Sequence, residues 1–196
     1  MITFLKGNIV EISPTHVVLD CNGIGYFLHI SLYTYTQFDK KQSRTDMFYT
    51  YLSIKEDSHT LYGFLDKKER ECFILLLSVS GVGASTARMI LSSLNPDELE
   101  KVIVSEDVNS LKSVKGIGLK SAQRIIIDLK DKISVNTSLT SDDISSNKSV
   151  VKQETLYALE KLGFPIKKTT KIVDTIIYEN PNLSVEEVIK MALKNL

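Results

Sequence analysis

Along the first third of the chain, apolar residues come in short runs: Ile2–Leu5, Asn8–Ile12, His16–Asp20, Tyr26–Ile30, Met47–Ile54 and Thr60–Phe64. Turn-forming residues separate them, notably Ser13-Pro14-Thr15, Asn22-Gly23 and Lys55-Glu56-Asp57-Ser58. Many short strands in so small a segment predict a compact OB-type β-barrel over residues 1–64. From Lys67 the spacing becomes helical. A helix over Lys67–Ser80 presents Phe73, Ile74, Leu76 and Leu77, and a second covers Ala84–Ser92. Asn95-Pro96-Asp97 opens a third, with proline at its first position, running to about Val104. A fourth starts at Asp107 or Val108, and Ser121–Lys132 closes an all-α domain over residues 65–133. Residues 134–149 are rich in Ser, Thr, Asn and Asp, which predicts a flexible linker. About fifteen such residues span roughly 20 Å. Residues 150–196 predict three amphipathic helices. Val151–Leu162 carries Leu156, Leu159 and Leu162 and stops at Gly163, with Pro165 beyond. Thr169–Glu179 carries Ile172, Val173, Ile176 and Ile177. Ser184-Val185-Glu186-Glu187 is a capping box for a helix with Val188, Ile189, Ala192 and Leu193. The chain is thus an α+β multidomain protein.

One pattern occurs twice. Leu76-Leu77-Ser78-Val79-Ser80-Gly81-Val82-Gly83-Ala84-Ser85-Thr86-Ala87 recurs as Leu111-Lys112-Ser113-Val114-Lys115-Gly116-Ile117-Gly118-Leu119-Lys120-Ser121-Ala122. In each copy a helix breaks at two glycines and another helix starts at once. Glycine permits positive φ and close backbone approach. The new helix offers unpaired N–H groups and the positive end of its dipole to an anion. This is the helix–hairpin–helix way of holding a nucleic-acid backbone without reading bases. The candidate phosphate ligands are Gly81, Val82, Gly83, Ser85 and Thr86 in the first copy, and Gly116, Ile117, Gly118, Lys120, Ser121 and Arg124 in the second. A dinucleotide fingerprint would need a third glycine, where Thr86 and Ser121 stand, and a P-loop would need Gly-Lys-[Ser/Thr]. Two tight αα-corners without a ligand are the plainer alternative, and the matched flanks of the two copies argue against it.

Formal net charge over 196 residues is zero, but the charge is uneven. Between Leu111 and Lys132 stand Lys112, Lys115, Lys120, Arg124, Lys130 and Lys132, against Asp128 and Asp131. A local basic face can bind phosphate in a neutral protein. Tyr33, Tyr35, Tyr49 and Tyr51 could stack on bases, but such aromatics are more often core or interface residues, and that reading is preferred. Cys21 and Cys72 have no metal spacing and are expected to be reduced, half-buried thiols. His16, His29 and His59 lack a second ligand nearby, so no metal and no catalytic base are expected. The N-terminus has no signal-peptide core, and the longest apolar run, Cys72–Leu77, is too short for a bilayer. A soluble, cytoplasmic protein is expected.

A barrel, paired hairpins and a tethered three-helix unit, in that order, resemble the RuvA family of bacterial Holliday junction branch-migration proteins over the whole chain. Further marks are Met1-Ile2 with Leu5-Lys6-Gly7, Gly23-Ile24-Gly25-Tyr26, Glu56-Asp57 with Leu61-Tyr62-Gly63-Phe64, and Lys130-Asp131. The resemblance implies a homotetramer, one or two per junction, whose barrels meet at the centre and whose hairpins grip the arms of four-way junction DNA. It implies a UBA-like C-terminal unit that docks on RuvB, the ATP-driven motor, and suggests a junction resolvase as a further partner in recombination and repair. It implies no cofactor and no catalytic residue, and it assigns Glu56 and Asp57 to an acidic pin at the tetramer centre, where sequence alone would see a solvated turn. Lys120 and Arg124 match the family; Ser85 stands where a lysine is frequent, and Lys115 where a proline is usual.

Two other functions compete. A helix–hairpin–helix DNA glycosylase would use Lys120 as nucleophile but needs an aspartate where Ser138 stands, and Asp142 and Asp143 lie in the linker. A generic duplex-binding scaffold needs only the hairpins. Comparing four-way junction with linear duplex over a salt series separates the three readings.

Overall fold

The computed structural model describes residues 1–41, 45–137, 147–180 and 183–196. The first unit, Met1–Val135, contains the expected barrel and hairpins; the second is Asn136–Leu196.

Five strands close the barrel in the order β1-β2-β3-β5-β4: β1 Phe4–Ser13, β2 His16–Cys21, β3 Ile24–His29, β4 Thr45–Ile54 and β5 His59–Phe64. All pairings are antiparallel except β3 with β5, where Leu28 faces Leu61 and His29 faces Tyr62. Strand β1 is longer than the two runs read from sequence, because it pairs with β4 at one end and β2 at the other. Its register shifts between Ile9 and Glu11, a bulge that bends the strand around the barrel. Gly7 lets the strands close there, since a Cβ at that position would meet the Asp20 carbonyl oxygen at 2.3 Å. Asn22 (φ 57°) and Gly23 (φ 86°) form a tight hairpin turn of the sort that matches strand twist. Inward residues Val17, Leu19, Leu28, Ile30 and Phe48 are fully or almost fully buried.

Between β3 and β4 lies a helix the sequence did not announce, α1, Leu32–Lys41. Tyr33 and Tyr35 therefore sit on a helix rather than in strands. Its aromatic and β-branched residues favour a strand locally, but tertiary packing overrides that preference. Ser31 Oγ accepts from the Thr34 N–H at 3.0 Å, and Phe38 packs on Phe48.

The five expected helices follow: α2 Lys67–Leu77, α3 Ala84–Ser93, α4 Pro96–Val104, α5 Val108–Lys112 and α6 Leu119–Thr137. Phe73 of α2 joins them to the barrel, with ring centroids 5.4 Å from Tyr51, 5.1 Å from Tyr62 and 5.0 Å from Phe64. Its core continues through Leu76, Ile90, Leu91, Leu99, Ile103, Leu111, Ile125 and Leu129. Ile74, expected on the apolar face, is exposed. Two arginines cross to the barrel. Arg70 lies 5.5 Å over the Tyr49 ring and donates to the Thr3 carbonyl at 3.1 Å. Arg88 donates to the carbonyls of Thr15 (3.2 Å) and Ile30 (3.3 Å). Tyr49 and Tyr51 are thus packing residues, and Tyr35 packs on the barrel core.

Helix α6 continues to Thr137 and α7 begins at Asn147, so both ends of the segment read as linker are helical. The remainder of that segment, including Ser138, Asp142 and Asp143, lies outside the described residues. In the second unit α7 Asn147–Lys161, α8 Ile166–Glu179 and α9 Val185–Asn195 pack around Leu159, Val173, Ile176, Val188 and Ala192. Gly163 (φ 93°) ends α7, with Phe164 N–H donating to the Leu159 carbonyl and Gly163 N–H to that of Glu160. The Ser184–Glu187 capping box forms as expected. Leu162 and Leu193, expected in the core, are exposed.

Candidate nucleic-acid interface

The two hairpins are built alike. In the first, α2 ends on Ser78, Val79 N–H donates to the Leu76 carbonyl and Val82 N–H to that of Val79, both at 3.1 Å. In the second, Val114 N–H donates to Leu111 (3.2 Å) and Ile117 N–H to Val114 (3.1 Å). Gly81 and Gly116 both have φ 89°, a left-handed turn that glycine enters without strain. Val82 and Ile117 are buried and their N–H groups are already spent. They seat the loops rather than offer donors.

The second glycine of each pair behaves differently. Gly83 has an extended backbone (φ −89°, ψ 170°), and neither Gly83 nor Gly118 would bring a Cβ within 4 Å of another residue. Nothing in the chain itself requires glycine there. Yet Gly83 is the N-cap of α3, and that helix has no side-chain cap. By contrast α2, α4 and α5 are capped by Asp66, Asn95 and Asp107. A capping side chain normally satisfies an orphan donor of the first turn; the first turn of α3, Ala84, Ser85 and Thr86, has none from its N-cap. The same backbone bond, Ala122 N–H to the Gly118 carbonyl at 3.0 Å, opens α6 at the equivalent place. Gly81, Gly83, Ser85, Gly116, Gly118, Lys120, Ser121 and Arg124 are exposed, and Thr86 is half-buried.

Ion pairs sort the basic residues. Lys130 pairs with Glu106, and Lys68 bridges Asp97 (2.7 Å) and Glu100 (2.9 Å), whose hydrogen bonds push its pKa up. Among the described residues no ion pair involves Lys112, Lys115, Lys120, Arg124 or Lys132. These five remain available to an external anion. Arg124 also donates to the Ser80 carbonyl (3.4 Å), and Lys132 to Ser78 Oγ (2.9 Å), so α6 reaches the first hairpin.

Glu56 and Asp57 occupy a separate place, the tip of the β4–β5 hairpin. Lys55 and Ser58 exchange backbone hydrogen bonds at 2.8 and 3.4 Å beneath them, and both carboxylates are exposed. Lys120 lies in the first turn of α6, and Asp128 and Asp131 lie further along the same helix, which does not favour a glycosylase pairing. Cys72 is buried, which pushes its thiol up to about 12. Among the described residues no group of three His, Cys, Asp or Glu is placed to hold a metal, and no helix is long and apolar enough to cross a membrane.

Comparison with known proteins places this architecture. Residues 1–63 match the RuvA N-terminal domain, 73–131 a SAM-like helix-hairpin-helix tandem, and 151–196 the RuvA C-terminal domain. A protein of Christiangramia forsetii is 52% identical over 198 residues, covering 100% of both chains. Proteins of Bacteroides fragilis and Flavobacterium psychrophilum are each 49% identical, over 203 and 201 residues, again covering 100% of both chains. The chain belongs to the RuvA family. All three RuvA relatives are named Holliday junction branch migration complex subunit RuvA.

Sequence reasoning missed two features of this RuvA-type interface. Arg88, which no motif singled out, binds barrel carbonyls. Glu69, in the first turn of α2 and likewise not singled out, is 0% exposed. Ser31 Oγ donates to one of its oxygens and Thr34 Oγ1 to the other, the latter at 2.6 Å. Burial pushes its pKa up to about 7, against the pull of those two bonds and with some help from Asp66.

Proposed function

We propose that the chain is the non-catalytic DNA-binding subunit of a branch-migration complex. It binds four-way junctions through the two hairpins, as a homotetramer with the barrels at its centre, and recruits the RuvB motor through residues 150–196. Glu56 and Asp57 form the acidic pin, and the DNA work takes place in the cytoplasm. The names of its full-length relatives support the complex and the junction. The exposed Tyr157, Leu162 and Tyr178 of the C-terminal unit are surfaces suited to a protein partner.

The observation that carries the DNA-binding reading is the pair of glycine helix starts. A helix start with open space over its glycine, repeated at Gly83 and Gly118, without a side-chain cap at α3 and with exposed Lys120 and Arg124 beside the second copy, suits a phosphodiester. Replacing Gly118 by Val tests it, because φ there lies outside the left-handed region and a Cβ there has no contact within 4 Å beyond its chain neighbours. Gly116→Val would be a poorer probe, since φ 89° strains any side chain. Gly118→Val should fold, weaken binding to every DNA sequence alike, and flatten the salt dependence by about one unit of slope for each phosphate no longer held. Unchanged junction binding by the folded variant refutes the assignment.

A further inference from the structure

The two hairpins match in backbone but not in charge. In the register of the repeat, Ser85 corresponds to Lys120 and Met89 to Arg124. The first copy thus lacks the cations of the second at both places. Its own arginine, Arg88, is turned to the barrel carbonyls of Thr15 and Ile30. Taken as a local motif, the first hairpin is an uncapped helix start with no positive side chain beside it.

The fold brings cations to it from the other copy. Arg124 of α6 reaches the Ser80 carbonyl at 3.4 Å, and two turns further along the same helix Lys132 donates to Ser78 Oγ at 2.9 Å. Ser78 Oγ in turn donates to the Leu75 carbonyl at 2.7 Å, which fixes the lone pair that receives the lysine. Ser78 and Ser80 belong to the loop that carries Gly81 and Gly83. Among the described residues neither cation meets a carboxylate, whereas Lys130 on the same helix pairs with Glu106. The hydroxyl uses one N–H of the ammonium and leaves its charge intact.

We infer that α6 completes the first hairpin as a phosphate site: Lys132, positioned by Ser78, together with Arg124, supplies the charge that Ser85 and Met89 do not. The ligand is a phosphodiester of the DNA backbone, met by the first-turn N–H groups of α3 on one side and by α6 on the other. This rests on the DNA-binding reading above. It makes the hairpins interdependent, because helix α6 opens the second grip at its N-terminus and charges the first from its body. The competing role for Lys132 is to offset the negative end of the α2 dipole at Ser78.

Charge transplantation separates the two. In full-length protein, Lys132→Gln should flatten the salt dependence of junction binding by about 0.9 for each phosphate that the first hairpin no longer neutralises, with weaker binding at a fixed salt of about 150 mM. Adding Ser85→Lys to Lys132→Gln, which rebuilds in the first copy the lysine of the second, should restore the slope. Lys120→Gln is the control on the second hairpin. If Lys120→Gln flattens the slope and Lys132→Gln does not, the inference is wrong and the DNA-binding reading stands. If neither does, both are wrong. If Lys132→Gln lowers the melting temperature and Ser85→Lys fails to restore binding, Lys132 is a helix-end residue only.

Discussion

Replacing Glu69 by Gln should remove a pH dependence of stability built into the joint between barrel and helices. The carboxyl is fully enclosed, and its pKa is pushed from 4.5 up to about 7 chiefly by burial. A carboxyl held protonated to higher pH in the folded than in the unfolded state gives the folded protein the greater proton count between those two values. Its contribution to stability is therefore complete below pH 4.5, falls as pH rises toward 7, and stays low above it. At about 1.36 kcal/mol per unit, the loss across the window is about 3 kcal/mol. Glutamine keeps the shape and does not titrate, and the Ser31 and Thr34 hydroxyls can turn to meet either end of the amide. Urea unfolding at a series of pH values, at one fixed protein concentration, should give curves for the two proteins that nearly coincide near pH 4.5. By about pH 7.5 the Glu69→Gln protein should be more stable by about 3 kcal/mol. Taking the difference between the two cancels every other carboxylate. Stability curves that stay parallel over the whole range would refute the argument, because they would mean that Glu69 titrates alike in the folded and unfolded chains.

Two further outcomes concern the other parts of the chain. Glu56→Gln with Asp57→Asn should tighten binding to linear duplex and lower the junction-to-duplex affinity ratio about fivefold at fixed salt, from roughly 1 kcal/mol of relieved like-charge repulsion. Neither residue has positive φ, so the turn tolerates the change; an unaltered ratio, measured by competition gel shift, would reject the pin. A chain ending before Val150 should still form tetramers and bind junctions, since the barrel and hairpins lie within Met1–Val135, but it should not stimulate RuvB-driven branch migration. Normal migration by the truncated protein would show that the last unit is not the docking module.

The barrel, the hairpins and the terminal helices were legible because each announces itself locally. Asn22-Gly23 dictates a tight hairpin, Asn95-Pro96 and Ser184 with Glu187 dictate helix starts, and the glycine pairs dictate a break followed by a new helix. Helix α1 was not legible. Leu32-Tyr33-Thr34-Tyr35-Thr36 has the composition of a strand, and its helical state rests on Ser31, Phe38 and packing made across the fold. At the interface, the residue types could be named from spacing, but their uses could not. Whether Val82 offers an N–H, whether Lys130 is free to meet phosphate, and where Arg88 points all depend on partners that spacing does not reveal: Val82 on Val79, Lys130 on Glu106, Arg88 on Thr15 and Ile30.

The two arginines that cross from the helical layer to the barrel share a habit with an evolutionary consequence. Arg88 addresses the carbonyls of Thr15 and Ile30, and Arg70 that of Thr3. A main-chain oxygen survives every substitution of the residue that bears it, so the exposed positions 3 and 15 can drift in identity while the acceptor stays in place, whereas Ile30 is held by the barrel core for its side chain and not for its oxygen. All the genetic fragility of those bonds is concentrated on the donor side. One codon at position 88 governs two of the links between barrel and hairpin layer, while neither acceptor depends on the identity of the side chain beside it.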